Sequence, residues 1–248
     1  PKMIAQQLGC QFLTGLQGNV TIPKLAAGAT AYWLANEETS ITESQGTLGQ
    51  VALSPKNVGA YSEFSRQLLL QSSPAVDSMV ANDLAATVAQ AIDSALINGS
   101  GASGQPTGLL LAAGIGSFSG TTLGITGLLE AQSDCANSLE STKCAYLTTP
   151  AVAALLKQRQ EFAGTNSPLW QGGIFEGKVA GFSAYSSSKM PASTCIFGAW
   201  DDIVIGEWGM LEIATNPFAN FQAGIIGCRA IHTVDVGVRR AGSFSVAT

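Results

Sequence analysis

Residues 73–110, SPAVDSMVANDLAATVAQAIDSALINGSGASGQPTGLL, decide how this chain is built. Ser73 stands as an N-cap and Pro74 at the first helical position, where a missing N–H costs nothing. Val76, Val80, Leu84, Val88, Ile92 and Leu96 then recur every four residues, with Met79, Ala85, Ala89 and Ala95 beside them. Four residues slightly overshoot the 3.6 of a helical turn, so the stripe winds slowly around a helix of about 24 residues, ~36 Å long. Asn98-Gly99 is expected to end it, glycine supplying the left-handed conformation of a helix C-terminus. Such a helix is the backbone of a flat, elongated domain. The exit Gly99-Ser100-Gly101-Ala102-Ser103-Gly104 matches GxGxxG letter for letter. Phosphate cradling needs those glycines to leave a strand and open a helix. Here they follow a helix, so a glycine-rich helix exit is the better reading.

Upstream, Ala31 to Leu34 (AYWL) and Val58 to Leu68, with Val58, Ala60, Phe64 and Leu68 on even positions, read as two strands. Between them lies ANEETSITESQGTLGQVALSPKN, residues 35–57, a connection too long for an ordinary turn. It is either a protruding hairpin, the preferred reading, or a loose surface loop. Residues 1–27 show no sustained period and read as an extended arm with at most short strands, one that needs a neighbour to lie on. Downstream, helices are expected near 127–139 and from Thr149-Pro150 to about Gln158. Strands are expected at 145–147, 179–185, 195–197, 203–205 and 211–214, with one or two more in 225–246. Helices and strands interleave without regular βαβ spacing, which favours a mixed α+β fold.

The chain has 248 residues, 46% of them apolar, enough to bury a sizeable core. Only 12% are charged, and 12 basic against 17 acidic residues give a net charge of −5, so the basic footprint of a sequence-reading nucleic-acid binder is missing. The longest apolar run, around Leu109 to Ile115, falls far short of the ~20 residues that span a bilayer. A chain this poor in charge keeps weakly polar surface somewhere, and subunit interfaces are the usual place, so an obligate oligomer is expected. Cys10, Cys135, Cys144, Cys195 and Cys228 form an odd set without a Cys-x-x-Cys pair, which argues for free thiols over disulfides or a zinc ribbon. The start at Pro1 is read as a trimmed chain or the product of proteolysis.

No constellation for catalysis emerges. His232 is the single histidine and no serine nucleophile elbow accompanies it. Asp201-Asp202 read as an exposed acidic turn rather than a metal site. Glu37-Glu38 fall in the 35–57 connection, where no apolar pocket raises a carboxyl pKa, and are better read as surface charge meeting a basic group on a neighbour. Arg239-Arg240, with Arg229 nearby, are either a small phosphate or carboxylate contact or a solvated strand end.

The order of parts is arm, strand, long connection, strand, Pro-started helix, glycine-rich exit, α/β body and returning strands. This order resembles the major capsid proteins of tailed bacteriophages, with the Hong Kong 97-type fold, from about Thr21 to Val246. The stretches that carry it are Phe64-Ser65-Arg66-Gln67, the helix and exit from Asp83 to Leu110, and Leu147-Thr148-Thr149-Pro150. VAGFSAYSSSKMP (179–191) and IFGAWDDIVIGEWGMLEI (196–213) complete the set.

The resemblance implies an N-terminal arm (1–27) and the first part of a peripheral domain (28–106), including an extended loop (35–57) and a spine helix (74–98). An axial domain (107–222) and peripheral C-terminal strands (223–248) follow. It implies a virion structural protein without enzymatic activity or cofactor. Hexamers and pentamers would tile an icosahedral shell around double-stranded DNA touched weakly and non-specifically, with no membrane partner. Portal, scaffold and accessory or decoration proteins are the implied partners, and the host bacterial cytoplasm the implied place of assembly. Glu37, Glu38 and Glu43 of the loop are the expected inter-subunit contacts, with Arg66, Arg229, Arg239 and Arg240 as basic partners. Some members of the family weld subunits through a loop lysine, but no lysine lies between Lys24 and Lys56, so a non-covalent shell is expected. An encapsulin-like compartment enclosing enzyme cargo is the alternative, and the Pro1 start agrees with a removed scaffolding segment.

Overall fold

The computed structural model describes residues 3–27, 30–33, 43–65, 67, 75–120, 123–137, 143–162, 164, 166–220, 222 and 224–247. The expected cap Ser73-Pro74 lies outside these residues, as do Glu37, Glu38 and Arg66. In chain order the elements are α1 (Ile4–Leu8), β1 (Gln11–Leu13), β2 (Val20–Ala27), β3 (Thr47–Leu53), β4 (Lys56–Ser65), α2 (Ala75–Asn98), β5 (Gly116–Phe118), α3 (Ile125–Ala136), β6 (Cys144–Thr148) and α4 (Pro150–Gln158). They continue with β7 (Trp170–Gly172), β8 (Glu176–Val179), β9 (Phe182–Ser186), β10 (Cys195–Ala199), β11 (Ile203–Glu207), β12 (Glu212–Asn220), β13 (Ile225–Val238) and β14 (Phe244–Ala247).

The winding apolar stripe of α2 links two cores. Leu84, Val88 and Ile92 pack on Cys228, Ala230 and Val234 of β13 and on Val58, Ala60 and Phe64 of β4. One turn further, Leu96 and Ile97 enter a second core with Leu147, Ile196, Trp200 and Phe244. Each such side chain, once buried, contributes about 1.5–3 kcal/mol. Met79 stands off the stripe and is exposed. Gly99 does not take the left-handed conformation expected of it. It is glycine for closeness: a Cβ there would lie 2.2 Å from the Pro106 carbonyl oxygen and 2.5 Å from that of Ala95. The GxGxxG stretch therefore folds back on the helix end, with Gly101 N–H donating to Pro106 O and Gly108 N–H to Gly99 O.

Two sheets and a ribbon carry the rest. In the first sheet β13 is the long central strand, with β4 on one edge and β12 then β11 on the other, and β1 adds in parallel to β11. The second sheet has the order β5-β14-β10-β6-β9-β8-β7. Its central strands β6 and β10 are buried on both faces, with alternate side chains entering two cores. Ala145, Leu147 and Ile196 face the Trp200 core, while Tyr146, Cys195 and Phe197 face a core closed by α3 and α4. Thr149 caps α4, its side chain accepting from Val152 N–H, with Pro150 at the first helical position as the sequence indicates. β2 pairs with β3 alone, as a two-stranded antiparallel ribbon.

Several expectations are corrected. The described residues 31–33 of the AYWL stretch form no strand, because the partner of β3 is upstream, in Val20–Ala27. The arm expected to lie on a neighbour is anchored at its start on its own chain: Ile4, Ala5 and Leu8 are buried in the chain's own core, and β1 extends the first sheet. Buried Asp93 of α2 fastens it by accepting from Ile4 N–H (3.0 Å) and Ala5 N–H (3.3 Å). The expected 179–185 strand is two, broken at Ala180-Gly181, whose positive φ angles (45° and 89°) make a tight hairpin turn. Sheet membership also cuts across the expected segment limits. β11 and β12, within 107–222, belong to the first sheet, and β14, within 223–248, to the second.

Candidate assembly surface

The β2–β3 ribbon is fixed at its root, and described residues farther from the body are exposed. Val51 and Leu53 pack with Ile22 and Trp208 onto Val204. Their seat is two glycines: a Cβ on Gly237 would meet Val51 at 2.6 Å and Leu53 at 2.9 Å, and one on Gly206 would meet Leu53 at 3.2 Å. The turn into β4 is clamped by Asp235, which is buried on β13. Its Oδ2 accepts from Ser54 N–H (2.8 Å), and its Oδ1 accepts from the Lys56 ammonium (2.8 Å) and from Val236 N–H (2.9 Å). Charge-assisted bonds of this kind are the stronger class, so the ribbon leaves the body in one direction. Pro23 is tolerated in β2 because each strand of a two-stranded ribbon has an open edge.

Away from the root, large apolar side chains among the described residues stand in solvent. Leu48 is 76% exposed, Tyr32 49% and Trp33 fully exposed. Ser44 Oγ accepts from Thr30 N–H (2.9 Å) and donates to Thr30 O (3.1 Å), so the two sides stay paired beyond the strands. Glu43 is exposed beside them, its Oε1 accepting from Gln45 Nε2 (3.2 Å).

The described basic candidates fall into two groups. Arg239 and Arg240 lie in the turn after β13. Arg239 N–H donates to Asp202 O (2.9 Å) and its guanidinium to Gln11 Oε1 (3.3 Å), while Arg240 O accepts from Ser243 N–H (3.4 Å). Arg229 stands on the face of the first sheet opposite α2, in a row Ala214–Arg229–Tyr61 across β12, β13 and β4. Its guanidinium is 3.7 Å from Glu212 Oε1, with both side chains more than half exposed. Asp201-Asp202, expected as an exposed turn, are half-buried in a 3₁₀ turn (Trp200–Asp202), and Asp202 Oδ2 accepts from Ser243 Oγ (2.7 Å). This carboxylate ties β11 to the start of β14 instead of serving a site.

Reactive groups are placed for structure. Burial pushes the thiols of Cys10, Cys135 and Cys195 up to about 12, so they are neutral and non-nucleophilic at physiological pH. His232 sits half-exposed in β13 opposite Val58 of β4. Among the described residues no cluster of three His, Cys, Asp or Glu is arranged to hold a metal, and no helix is long and apolar enough to cross a membrane. Sequence reasoning missed the clamp Asp235, the arm anchor Asp93 and the bare Trp33. A lone acid between apolar neighbours, as in TVDVGV and QAIDSAL, was the signal for the first two.

Comparisons with known proteins bear on the whole of this architecture. The sequence profile of the Phage capsid family matches residues 3–248. The major capsid protein of Halomonas phage phiHAP-1 is 29% identical over 242 residues, which is 97% of this chain, and this chain spans 39% of that protein's length. Among solved structures, the capsid of the native GTA particle superposes over 100% of this chain and 90% of its own, with a TM-score of 0.78 at 16% identity. Microbacterium phage Oxtober96 gives a TM-score of 0.79 at 13% identity, over 100% and 92% of the two chains. Mycobacterium phage Bobi gives 0.78 at 14% over 98% and 89%. The chain belongs to the Phage capsid family and has the Hong Kong 97-type α+β capsid fold.

Proposed function

We propose that this chain is the major capsid subunit of a tailed phage, its copies associating as hexamers and pentamers into a closed icosahedral shell around double-stranded DNA. The observation that carries this reading is the β2–β3 ribbon. Two strands alone are marginal in water, and this pair keeps Leu48 and Trp33 in solvent while its root is held rigidly outward. The ribbon finds its remaining burial on a sister copy. The first sheet with α2 serves as the peripheral unit and the second sheet as the axial unit of each copy. A net charge of −5 suits a wall that must not grip phosphates during genome packing. The chain performs no catalysis. Scaffold, portal and decoration proteins complete the particle, which assembles in the host bacterial cytoplasm.

Glu43 and its loop neighbours Glu37 and Glu38 meet basic groups of an adjacent copy, with Arg229 the best placed and Arg66, Arg239 and Arg240 the others. No lysine lies between Lys24 and Lys56 to weld the loop, so the shell is held without covalent links. Electron microscopy of the expressed chain tests the reading. Closed polyhedra are expected, and a stable solitary species at high concentration would end it. Nuclease-resistant DNA in purified particles supports a genome container, whereas a co-purifying enzyme in small empty shells would move the reading to an encapsulin-like compartment. Covalent ladders on denaturing electrophoresis would overturn the non-covalent shell.

A further inference from the structure

A long, regular sheet edge is a row of unpaired N–H and C=O groups, a template for another strand, and folded proteins blunt such edges. Four of the five outer strands of the two sheets are blunted in this way. β1, β5 and β7 have three residues each, and β12 carries Pro217 and a break in register between Asn216 and Asn220. β4 is the exception. It matches β13 residue for residue from Lys56 to Ser65 without a bulge, contains no proline, and pairs with no second strand among the described residues. Lysine is a common guard of open edges, but Lys56 is drawn onto Asp235 of β13.

The strand is also clear for an approach from the side. Asn57, Gly59, Tyr61, Glu63 and Ser65 alternate as exposed positions on the face away from α2. Tyr61 is the one bulky member, and its ring leans inward over Gly227 of β13, away from the edge. Its hydroxyl donates to Glu63 Oε1 (2.8 Å), which keeps it there.

The chemistry of β4 fits a second β4. Opposed residues of an antiparallel pair share a face, so a two-fold axis must pass at a residue and not between two. Centred on Tyr61, the pairing sets Val58 against Phe64 on the α2 side, Ala60 against Ser62, and Glu63 against Gly59 on the outer side, each twice. No like charges oppose one another. Centred on Ala60 it would set Lys56 against Phe64, and centred on Ser62 it would leave Val58 without a partner. Residues 57–65 of each copy give a strip ~30 Å long, which makes one continuous sheet of the two copies.

Resting on the shell reading above, we propose that β4 pairs with β4 of a second copy about a two-fold axis at Tyr61, joining one ring of the shell to the next. Head-to-tail contacts close rings, whereas the joining of equivalent rings calls for a self-complementary contact, which this edge supplies.

Tyr61→Cys in the full chain, treated with a short bis-maleimide after assembly, is the test. A residue meets its own counterpart only at a two-fold axis, so this single variant is expected to give covalent dimers at about tenfold the yield of wild type. In wild type Cys10, Cys135, Cys195 and Cys228 are buried and Cys144 is partly so. Charge then reads the register. A Cβ on Gly59 meets nothing closer than Ala230 O at 3.5 Å, so the position has room. In the Tyr61→Cys background Gly59→Glu sets like charges across the axis twice and is expected to lower the dimer yield about fivefold, whereas Gly59→Lys, opposite Glu63, holds or raises it. Intact shells without Tyr61→Cys dimers, or equal yields from the two Gly59 variants, overturn the pairing and leave the shell reading standing. Dimers from a concentrated chain that never forms shells support the pairing and sink the shell reading. Neither shells nor dimers would end both.

Discussion

The second sheet and the β2–β3 ribbon are both β structure, and they have opposite relations to water. Every residue of β10 is buried, between a Trp200 core on one face and a Phe197 core on the other. The ribbon buries Val51 and Leu53 at its root and leaves Leu48 and Trp33 in solvent. The central strands of the sheet are covered by their own chain, whereas the ribbon leaves apolar side chains uncovered, which on the shell reading proposed above are buried by a sister copy. On that reading stability and assembly fall to different residues, and single substitutions can separate them.

The largest effect is expected in the core packed against the second sheet. Trp200 is fully buried, donates its indole N–H to Ala145 O (2.9 Å) and meets the Phe244 ring edge-on at 5.5 Å. Trp200→Ala should cost about 3–5 kcal/mol, read as a shifted urea midpoint or loss of soluble chain. A body variant this costly that melts like wild type would break the claim that the sheet is self-sufficient.

The root is next. Asp235→Ala removes three accepted bonds and leaves the Lys56 ammonium, one quarter exposed, without its carboxylate. Loss of a fully buried partner costs about 3–5 kcal/mol, and the access of Lys56 to water brings the expectation down to about 1–3 kcal/mol. Shells made from this variant should be irregular in size under the microscope, because the ribbon's direction is no longer held. Uniform wild-type shells would show that the clamp does not set that direction.

The arm offers a comparison in pH. Burial raises the Asp93 carboxyl above its ordinary 3.8, with the Ile4 and Ala5 N–H donors opposing the shift. A carboxyl with a raised folded value binds more protons in the folded than in the unfolded state between the two values, so stability falls as pH rises through that interval. Asp93→Asn should flatten this part of the pH dependence of the urea midpoint, and an unchanged slope would remove Asp93 as its source.

The contrast between body and ribbon was only half visible in the amino acids. The helix Ala75–Asn98 and the N-cap of Pro150–Gln158 were legible because periodicity and capping are local. The ribbon was recognised as a projection but misplaced by a strand. Val20–Ala27 contains a proline and alternates weakly, whereas AYWL is rich in β-formers, and pairing across 20 or more residues leaves little local trace. That the arm starts on its own body and not on a neighbour is not legible locally, because Asp93, the residue that holds it, lies 89 positions away. Arg229 was legible as a charge, but its row with Ala214 and Tyr61 depends on the registers of three strands.

The smallest effect separates a contact within the chain from one between copies. Arg229 and Glu212 are 3.7 Å apart and more than half exposed, and pairs of that kind contribute about 0–1 kcal/mol. Glu212→Gln should therefore leave the monomer's melting temperature unchanged. It also frees the guanidinium from its intramolecular competitor. If Arg229 serves a neighbouring copy, Glu212→Gln should lower the concentration at which rings first sediment, by about twofold, with the gain fading at high salt as screening shortens the reach of the charge. A drop in assembly instead would mean that Glu212 orients Arg229, which would place the energy of the contact in a three-member network rather than in a single guanidinium.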